Sequence, residues 1–473
     1  MKILYATSEA FPFAKSGGLG DVSGSLPKTL KKNNVDIRAI MPLYQDIPDQ
    51  YKKDMQWVGS FTVPLNWREQ TCEVYMLLHE GIWWYFIKND HYFGRPGLYG
   101  YFDEAERFLF FSKAVLEFVP QYDFWPTIIH CHDWQTAAIP VLLNKHYKHH
   151  FKNLKTVLTI HNIKYQGIYG ADTLFDILGL HPEDITSDLE YYGDVNLLKA
   201  GMYNADWVTT VSPTYAKELE HAYFAEGLDG VVRDIKPKMT GILNGIDYTV
   251  FNPETDSYID YTYKEEPDKK RKNKLAFQKE LGLPQSEKTV MIGMVTRLVE
   301  LKGLDLVCRM IEEILEMDVQ FVLLGTGEHG YEETFHSIET RFPEKASALI
   351  QFSQELASKI YAASDLFLMP SRIEPCGLSQ IIALKYGALP VVHRTGGLND
   401  TITHFDSETE EGNGFVFDHY NAHEMLEAIM YAVDLYQNEP EKIDRAIQNA
   451  FQSLFDWEKA ACDYYHIYEK IDV

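Results

Sequence analysis

The sequence is poor in cysteine and lacks the paired spacing that would build a metal site or a disulfide framework. Five cysteines occur in 473 residues, an odd number, and they are scattered along the chain at Cys72, Cys131, Cys308, Cys376 and Cys462. Such a low density excludes a disulfide-stabilised scaffold. We therefore expect a protein of the reducing cytoplasm.

The chain also lacks an excess of positive charge and long apolar runs. It has 44 Lys and Arg residues against 69 Asp and Glu residues, a formal net charge of −25. Nucleic acids and anionic membranes repel a polyanion, so neither is an expected partner. No stretch is long and apolar enough to span a bilayer, and the first residues show no apolar stretch of the signal-peptide kind.

What the chain does have is a regular alternation of short apolar runs with amphipathic segments, which is typical of parallel sheets covered by helices. We therefore predict an α/β protein with two doubly wound domains in tandem, at residues 1–245 and 246–455, followed by one amphipathic helix at residues 456–473. The polar residues 247–274 are predicted to form a surface connection. Residues 57–87 show strand-like alternation and are predicted to form antiparallel strands or a hairpin.

The strongest local signal is a glycine cluster after the first predicted strand. Residues 15–22 read Lys-Ser-Gly-Gly-Leu-Gly-Asp-Val. Glycines between a strand and a helix let backbone N–H groups approach a phosphate at the helix N-terminus, and Lys15 adds a positive charge beside them. The pattern is neither G-x-G-x-x-G nor a P-loop. A turn that only packs the helix closely is the alternative, and the flanking Lys15 and Asp21 favour the phosphate site.

Two cations follow the first predicted strand of the second domain. Arg297 and Lys302 lie at a strand end, which is where open α/β sheets bind ligands. There they can hold a diphosphate, the arginine by its planar fork and the lysine as a point charge. A pair of surface charges near a turn is the alternative, and for these two residues taken alone it is favoured.

A loop farther along the second domain carries a candidate sugar ligand. Glu374 precedes Pro375, whose ring disfavours a helical conformation at Glu374, so its carboxylate can project from a loop and accept hydrogen bonds from sugar hydroxyls. Cys376 is interpreted as a small packed residue, because no Cys–His–Asp constellation accompanies it. The glycine turn that begins at Thr395 suits either a phosphate or tight packing.

Histidines end two predicted strands of the first domain. Residues 130–134 read His-Cys-His-Asp-Trp, and His161 with Asn162 ends the next strand. Adjacent strand ends can bring these groups together. Zinc is disfavoured because a third well-spaced ligand is missing, and hydrogen bonding to a polar ligand is the preferred interpretation. The following residues 134–149 are predicted to form one helix.

Taken in order along the chain, these clusters resemble one family. Residues 15–22 resemble the K-[ST]-G-G-L-G-D-V signature of bacterial glycogen synthases and plant starch synthases. Further matches follow in the family's order at His132-Asp133-Trp134, His161-Asn162, Leu243-Asn244-Gly245-Ile246-Asp247, Arg297 with Lys302-Gly303, residues 371–378 and residues 395–398. The resemblance covers nearly the whole chain. It implies two facing Rossmann-like domains of the GT-B type with the active site in the cleft between them, an N-terminal acceptor and catalytic domain and a C-terminal nucleotide-sugar-binding domain.

The resemblance also implies a reaction. A retaining glycosyltransferase of this kind would move glucose from ADP-glucose to the non-reducing end of an α-1,4-glucan such as glycogen and release ADP, with neither a metal nor a cofactor. Rivals of the same architecture are a UDP-sugar transferase and an α-glucan phosphorylase, which would need a pyridoxal-phosphate lysine. A catalytically inactive glucan-binding protein is a rival of a different class.

Roles for individual residues follow from the same resemblance. The implied catalytic set is His161, Glu374, Lys15, Arg297 and Lys302. The donor would be bound by Lys15, Gly17, Gly18, Asp21, Asn244, Arg297, Lys302, Phe352, Cys376, Gly377, Leu378 and Thr395, with the ring of Phe352 against the adenine. Glucose and glucan would be bound by Glu9, His132, Asp133, His161, Asn162, Asn244 and Glu374.

The sequence departs from the family pattern at four positions. Ile382 stands where many retaining relatives carry a second glutamate, so the ribose contact must come from elsewhere. Leu301 and Ala388 replace a common Gln and a common Thr without removing a charge, which leaves the expected activity in place. Phe352 stands where Tyr is frequent, a change that keeps the stacking ring and loses a hydroxyl.

Overall fold

The computed structural model describes residues 1–122 and 124–472. The chain forms two compact units, one made of Met1–Gly245 and Trp457–Val473 and the other of Ile246–Asp456. After the second unit the chain returns to the first with its terminal helix, Trp457–Ile471, which coincides with the amphipathic helix predicted there. Tyr464 and Tyr468 of this helix are fully buried.

The first unit is built on a mainly parallel sheet. Within the described residues its strands are β1 (Lys2–Ala6), β2 (Asp36–Pro42), β3 (Gln56–Leu65), β4 (Arg68–His79), β5 (Ile82–Lys88), β6 (Ile128–His132), β7 (Lys155–Ile160), β8 (Ile168–Gly170), β9 (Glu190–Tyr191), β10 (Asp194–Asn196), β11 (Trp207–Thr210) and β12 (Met239–Gly241). The main sheet has the order β12-β11-β7-β6-β1-β2-β5-β4-β3, and a small antiparallel sheet has the order β8-β10-β9. Strands β3, β4 and β5 form an antiparallel meander, which confirms the prediction for residues 57–87.

Helices cover the sheet of the first unit. In the described residues they are α1 (Gly18–Lys32), α2 (Asp49–Lys52), α3 (Asp90–Phe93), α4 (Glu104–Phe118), α5 (Asp133–Thr136), α6 (Ala138–Leu142), α7 (Ala171–Leu178), α8 (Leu197–Asn204), α9 (Pro213–Glu218) and α10 (Asp229–Ile235), besides the terminal helix. The single helix predicted at residues 134–149 is wrong, because this segment is divided into α5, α6 and the π-helical turn Leu143–Tyr147. Pro140 has no N–H to donate to the carbonyl of Thr136, so the first turns cannot continue as one regular helix.

The second unit is built on a fully parallel sheet of buried strands. Its described strands are β13 (Val290–Val295), β14 (Val319–Leu324), β15 (Ala346–Leu349), β16 (Leu366–Met369), β17 (Leu389–His393) and β18 (Phe415–Phe417), in the order β15-β14-β13-β16-β17-β18. Its described helices are α11 (Pro267–Glu280), α12 (Leu304–Glu316), α13 (His329–Arg341), α14 (Gln354–Ala363), α15 (Ser379–Lys385), α16 (Gly396–Thr401), α17 (Ala422–Asn438) and α18 (Pro440–Gln452). The sequence pattern does not predict β15, whose Ala-Ser-Ala-Leu run has no β-branched residue.

Residues 247–274 form the predicted surface connection only in their first part, since residues 247–266 contain no helix or strand and are mostly exposed. Helix α11 begins inside this segment and packs into the second unit, where Lys270 and Lys274 are 3% and 0% exposed. For residues 267–274 the prediction is wrong, because a count of charges along the chain does not reveal their partners. Asp365, 91 residues from Lys274, lies 2.7 Å from its ammonium group and compensates the buried charge.

Across residues 1–122 and 124–472, none of the helices combines the length and the apolar character needed to cross a membrane.

Candidate active site

The polar residues predicted in the first unit lie at the carboxyl ends of neighbouring strands. His132 ends β6 and His161 follows β7, and these two strands pair in parallel. The structure brings the two histidines together, with His132 Nδ1 3.0 Å from His161 Nε2. Burial lowers the pKa of His161 to about 3, so its ring is neutral at pH 7 and can form hydrogen bonds without carrying charge. Within the described residues, no group of three His, Cys, Asp or Glu side chains is placed to hold a metal ion.

Asp133 stands next to this pair in an unusual environment. Its backbone has φ 54°, in the left-handed region, and its side chain is buried. Asp133 Oδ1 accepts a hydrogen bond from the backbone N–H of His161 at 2.7 Å, and the carboxylate also accepts one from the backbone N–H of Asn162. Burial nevertheless raises the pKa of Asp133 to about 7, and the nearby Glu9 adds to the rise. A strained backbone and a costly buried charge at one residue are typical of a functional position.

Replacing Asp133 by asparagine is expected to stabilise the free protein at pH 7 by about 1–3 kcal/mol. The folded pKa of about 7 lies above the ordinary value of 3.8, so this carboxyl favours the folded state below about pH 4 and loses that contribution as the pH rises to 7. Asparagine tolerates the left-handed backbone and keeps one accepting oxygen.

Thermal unfolding of both proteins from pH 4 to pH 8 checks this prediction. The difference in Tm between Asp133→Asn and the unchanged protein should grow as the pH rises. The exposed Asp172 supplies a matched control, since Asp172→Asn should shift Tm little at any pH. A Tm difference that stays constant with pH would contradict the raised pKa.

The glycine cluster follows β1 and begins helix α1, with Gly17 just before the helix and Gly18 and Gly20 in its first turn, and the amide of Gly17 is bonded within the chain. Helix α1 begins at Gly18 without a side-chain cap. The carboxylate of Glu9 accepts hydrogen bonds from the backbone N–H of Ser16, from the Ser16 hydroxyl at 3.1 Å and from the backbone N–H of Gly17 at 3.3 Å. Burial raises the pKa of Glu9. A carboxylate of the chain thus lies at the anion-binding end of the helix, and the predicted contact of Gly17 with a diphosphate requires Glu9 to release this amide.

The charged residues that flank the glycines pair with each other. Lys15 Nζ lies 2.6 Å from Asp21 Oδ1, and both side chains are partly exposed. A Cβ at Gly20 would lie only 2.8 Å from Cγ of Lys15, so a glycine at this position leaves room for the Lys15 side chain against the helix. Because a partly exposed ion pair contributes little to stability, Lys15 can exchange this partner for a phosphate at small cost.

In the second unit, Lys302 and Glu374 form the centre of the predicted site. Lys302 Nζ lies 2.6 Å from Glu374 Oε2, and the Ser371 hydroxyl donates to the same oxygen at 2.9 Å. Glu374 is only 5% exposed. Gly303, with φ 78°, allows this approach, since a Cβ there would lie 2.1 Å from the carbonyl oxygen of Pro370. Two loops that follow β13 and β16 therefore hold a cation and a carboxylate side by side.

The glycine turn at the start of α16 is required for packing against the Glu374 loop. A Cβ at Gly396 would lie 1.9 Å from the carbonyl oxygen of Glu374, and one at Gly397 would lie 2.0 Å from that of Cys376. The backbone N–H of Gly397 donates to the Glu374 carbonyl at 3.1 Å. Of the two interpretations of this turn, the structure shows the tight packing; a contact with phosphate stays a prediction.

Three predicted ligand residues lie outside these hydrogen-bonded clusters. Arg297 is exposed after β13, and Phe352 is 89% exposed after β15. Asn244 is buried, and in the described part of the chain its Oδ1 has no hydrogen-bond partner. An exposed aromatic ring and a buried unpaired carbonyl are groups that a ligand can cover or satisfy.

Two hydroxyl groups of the site are missed by sequence reasoning. The Tyr99 hydroxyl lies 2.9 Å from Ser8 Oγ and 3.3 Å from Glu9 Oε1. Ser371 binds Glu374, as described above. Ser371 lies three residues before Glu374 in the sequence, and this short separation could have indicated that its hydroxyl bonds to the carboxylate. Tyr99 is 90 residues from Glu9 and no motif surrounds it.

Comparisons with known proteins agree along the whole chain. The family model described as starch synthase catalytic domain matches residues 2–234, and the model described as glycosyl transferases group 1 matches residues 276–453. The chain is 48% identical to the glycogen synthase of Alkaliphilus metalliredigens (strain QYMF) over 475 positions that span 100% of both chains. It is 45% identical to the glycogen synthase of Geobacillus thermodenitrificans (strain NG80-2), covering 100% of this chain and 98% of the relative.

Solved structures show the same relationship. The catalytic domain of starch synthase IV from Arabidopsis thaliana, bound to ADP and acarbose, matches with a TM-score of 0.92 and 33% identity over 100% of this chain and 99% of that one. Sucrose-phosphate synthase from Thermosynechococcus elongatus matches with a TM-score of 0.61 and 16% identity over 99% of this chain and 98% of that one. The second match shows the fold alone.

Two Rossmann-like units that match glycosyltransferase family models, together with the structural likeness to a starch synthase catalytic domain, identify a glycosyltransferase of the GT-B class. The sequence identity to glycogen synthases over the full length of the chain identifies one family within this class. This chain belongs to the glycogen and starch synthase family. The family prediction made from the sequence motifs is confirmed, as is the prediction of a two-domain α/β fold.

Proposed function

We propose that the protein transfers glucose from ADP-glucose to the 4-hydroxyl at the non-reducing end of an α-1,4-glucan such as glycogen, with retained configuration and release of ADP. The solved relative at 33% identity binds ADP and acarbose, which supports an adenine nucleotide and a glucan as ligands. We place the reaction in the cytoplasm; the five cysteines are free thiols, which agrees with a reducing compartment.

The observation that carries this proposal is the Lys302–Glu374 pair at the strand ends of the second unit. A sugar nucleotide presents a diphosphate directly beside sugar hydroxyls, so its site needs a cation and a hydrogen-bond acceptor at short range. Lys302 and Glu374 supply these two groups 2.6 Å apart. When the donor binds, Lys302 can turn toward the diphosphate while Glu374 accepts hydrogen bonds from the glucose.

Stabilisation of the departing diphosphate would be the largest contribution to catalysis. We assign this role to Lys15, Arg297 and Lys302, with the amides at the start of α1. These three cations and the helix N-terminus would supply the positive charge that a metal ion supplies to a departing diphosphate in other enzymes. We therefore propose that neither a metal nor an organic cofactor is needed. The remaining donor contacts would come from Gly17, Gly18, Asp21, Asn244, Phe352, Cys376, Gly377, Leu378 and Thr395.

The neutral ring of His161 is suited to hydrogen-bond the glucose while positive charge develops at its anomeric carbon. Glu9, His132, Asp133 and Asn162 would bind glucose or the incoming glucan end. Glu374 Oε2 accepts a hydrogen bond from the Ser371 hydroxyl, and we propose that this carboxylate binds sugar hydroxyls and does not act as a nucleophile. We therefore propose that the acceptor attacks on the face that the diphosphate leaves, that the diphosphate takes its proton, and that no glucosyl–enzyme bond forms.

A direct assay tests the proposed function. The protein is incubated with glycogen and either ADP-glucose or UDP-glucose, and release of the nucleoside diphosphate is followed. We expect ADP-glucose to be used at least about tenfold faster, since a matched adenine contact is worth about 1.4 kcal/mol or more. The added glucose should be removable by β-amylase, and omission of glycogen should abolish ADP release. Absence of transfer, or preference for UDP-glucose, would contradict the proposal.

A further inference from the structure

A chain of buried hydrogen bonds joins the terminal helix to the strands that carry the histidine pair. The Tyr468 hydroxyl lies 2.8 Å from His130 Nδ1, and His130 Nε2 lies 2.7 Å from Thr159 Oγ1. Thr159 Oγ1 lies 2.6 Å from Thr209 Oγ1. All four residues are 0% exposed, in a core that is otherwise mostly apolar. Neither His130 nor the terminal helix has a part in the proposed function described so far.

Which groups donate and which accept along this series of hydrogen bonds follows from the protonation of Tyr468. Burial raises the pKa of Tyr468 well above its ordinary value, so the phenol keeps its proton. Burial also lowers the pKa of His130 to about 3, so its ring is neutral and carries one N–H. A buried hydroxyl proton needs an acceptor, and His130 Nδ1 lies within reach. Tyr468 therefore donates to Nδ1, and the N–H of His130 is on Nε2, directed at Thr159.

His130 in turn supports the ring of His132. The two ring centroids are 4.2 Å apart with an interplanar angle of 39°. The ring of Tyr5 also contacts His132, at 4.1 Å and 35°. Each of these supporting rings is anchored by a helix, Tyr5 by the Ser23 hydroxyl of α1 at 3.3 Å and His130 by Tyr468 of the terminal helix.

Among the described residues, hydrogen bonding orients the ring of His132 at one nitrogen only. Its Nδ1 bonds to His161, while its Nε2 is buried without a hydrogen-bond partner in residues 1–122 and 124–472. The rings of Tyr5 and His130 that pack against His132 therefore help to set its plane. Because the plane of His132 directs its Nδ1, the same packing sets the direction of the hydrogen bond to His161.

We propose that Tyr468 is a positioning residue, which holds His130 and thereby His132 so that His161 is presented to the donor glucose in one fixed orientation. This inference rests on the proposed function in taking His161 as a group that contacts the substrate. It assigns a role to the terminal helix, which packs on the first unit although it follows the second unit in the chain.

The test compares Tyr468→Phe with the unchanged full-length protein, using ADP-glucose and glycogen. Phenylalanine keeps the ring and removes only the hydroxyl. We expect kcat to fall about tenfold and KM for ADP-glucose to stay within about twofold, since misorientation of a group acting on the reacting sugar affects the transition state more than the bound donor. In a crystal structure of the free variant, His132 Nδ1 and His161 Nε2 should be separated by more than about 3.5 Å, or the His132 ring should be turned.

Tyr464→Phe is the matched control, because Tyr464 is equally buried one helical turn earlier and the Tyr468–His130 bond remains in this variant. The variant His130→Asn tests the same positioning role at the other partner of the hydrogen bond. It removes the ring beside His132, so kcat should fall as it does in Tyr468→Phe. Unchanged kcat in Tyr468→Phe, an equal loss in Tyr464→Phe, or an unaltered histidine pair in the crystal would overturn the positioning role. If the unchanged protein does not use ADP-glucose, the proposed function fails, while the crystal comparison still decides the geometry.

Discussion

Replacing Lys302 by alanine is expected to lower kcat/KM for transfer from ADP-glucose by about 100- to 1000-fold, the cost of losing one charged contact to the transition state. The lysine lies 2.6 Å from Glu374, so a diphosphate bound beside that carboxylate would lie close to its ammonium group. The same change removes the cation beside Glu374, a residue that is only 5% exposed. Its carboxylate keeps the hydrogen bond from the Ser371 hydroxyl but loses the compensating charge. A loss of stability should therefore accompany the loss of activity.

These two effects can be separated. The double variant Lys302→Ala/Glu374→Gln removes the uncompensated charge, so its stability should recover while its activity stays low. Lys359→Ala is the matched control, since Lys359 also forms ion pairs in the second unit, with Glu280 and Glu355, and has no part in the site. Steady-state kinetics and thermal unfolding of all variants make the comparison. Unchanged kinetics in Lys302→Ala would refute its assignment to the diphosphate.

Replacing Lys274 by methionine is expected to destabilise the second unit by about 3–5 kcal/mol, the usual cost of breaking a buried ion pair. The side chain of Lys274 is 1% exposed and that of Asp365 is 7% exposed. The ammonium nitrogen lies 2.7 Å from Asp365 Oδ2, 2.8 and 3.0 Å from the carbonyl oxygens of Glu287 and Thr289, and 3.2 Å from the Tyr436 hydroxyl, so its three N–H groups all have acceptors. Methionine matches the length of the chain and satisfies none of these acceptors.

The expected loss comes mainly from the carboxylate that remains. Asp365 still accepts hydrogen bonds from the Met291 N–H and the Tyr436 hydroxyl, each at 2.8 Å, but it has lost the cation. The double variant Lys274→Met/Asp365→Asn should therefore be more stable than Lys274→Met alone. Denaturant unfolding measures the difference, and Lys279→Met, at an exposed lysine of the same helix, should cost less than about 0.5 kcal/mol. A loss of that small size in Lys274→Met would show that the pair does not stabilise the fold.

Much of the fold could be predicted because parallel strands bury both faces and so must be apolar along their length. The segments Val290–Val295, Leu366–Met369 and Phe415–Phe417 have this character, and each forms a strand. The strand Ala346–Leu349 was not predicted, because it is short and lies at the edge of its sheet. Helix α11 was not predicted because its lysines resemble a solvated surface until their buried partners are known.

The candidate site was predictable to the extent that its residues follow strands. Glu374, Lys302 and His161 all stand after apolar runs, and parallel strands place such residues at one edge of a sheet. The partners of these residues were not predictable. The hydrogen bond from the Gly17 amide to Glu9 depends on the conformation of the glycine-containing turn. The hydrogen bond between Tyr468 and His130 joins residues that are 338 positions apart.

The sequence by itself determined the class of the two units, the family to which the chain belongs and the residues that stand at the strand ends, because periodicity and local motifs are written in consecutive residues. Only the tertiary structure decided what each of those residues touches. It paired Lys302 with Glu374, bonded the amides of Ser16 and Gly17 to Glu9, and buried Lys274 beside Asp365. It also placed Tyr468 of the terminal helix against His130. These contacts join distant segments, and their free energies depend on burial and on the distance between partners, neither of which exists until the chain has folded.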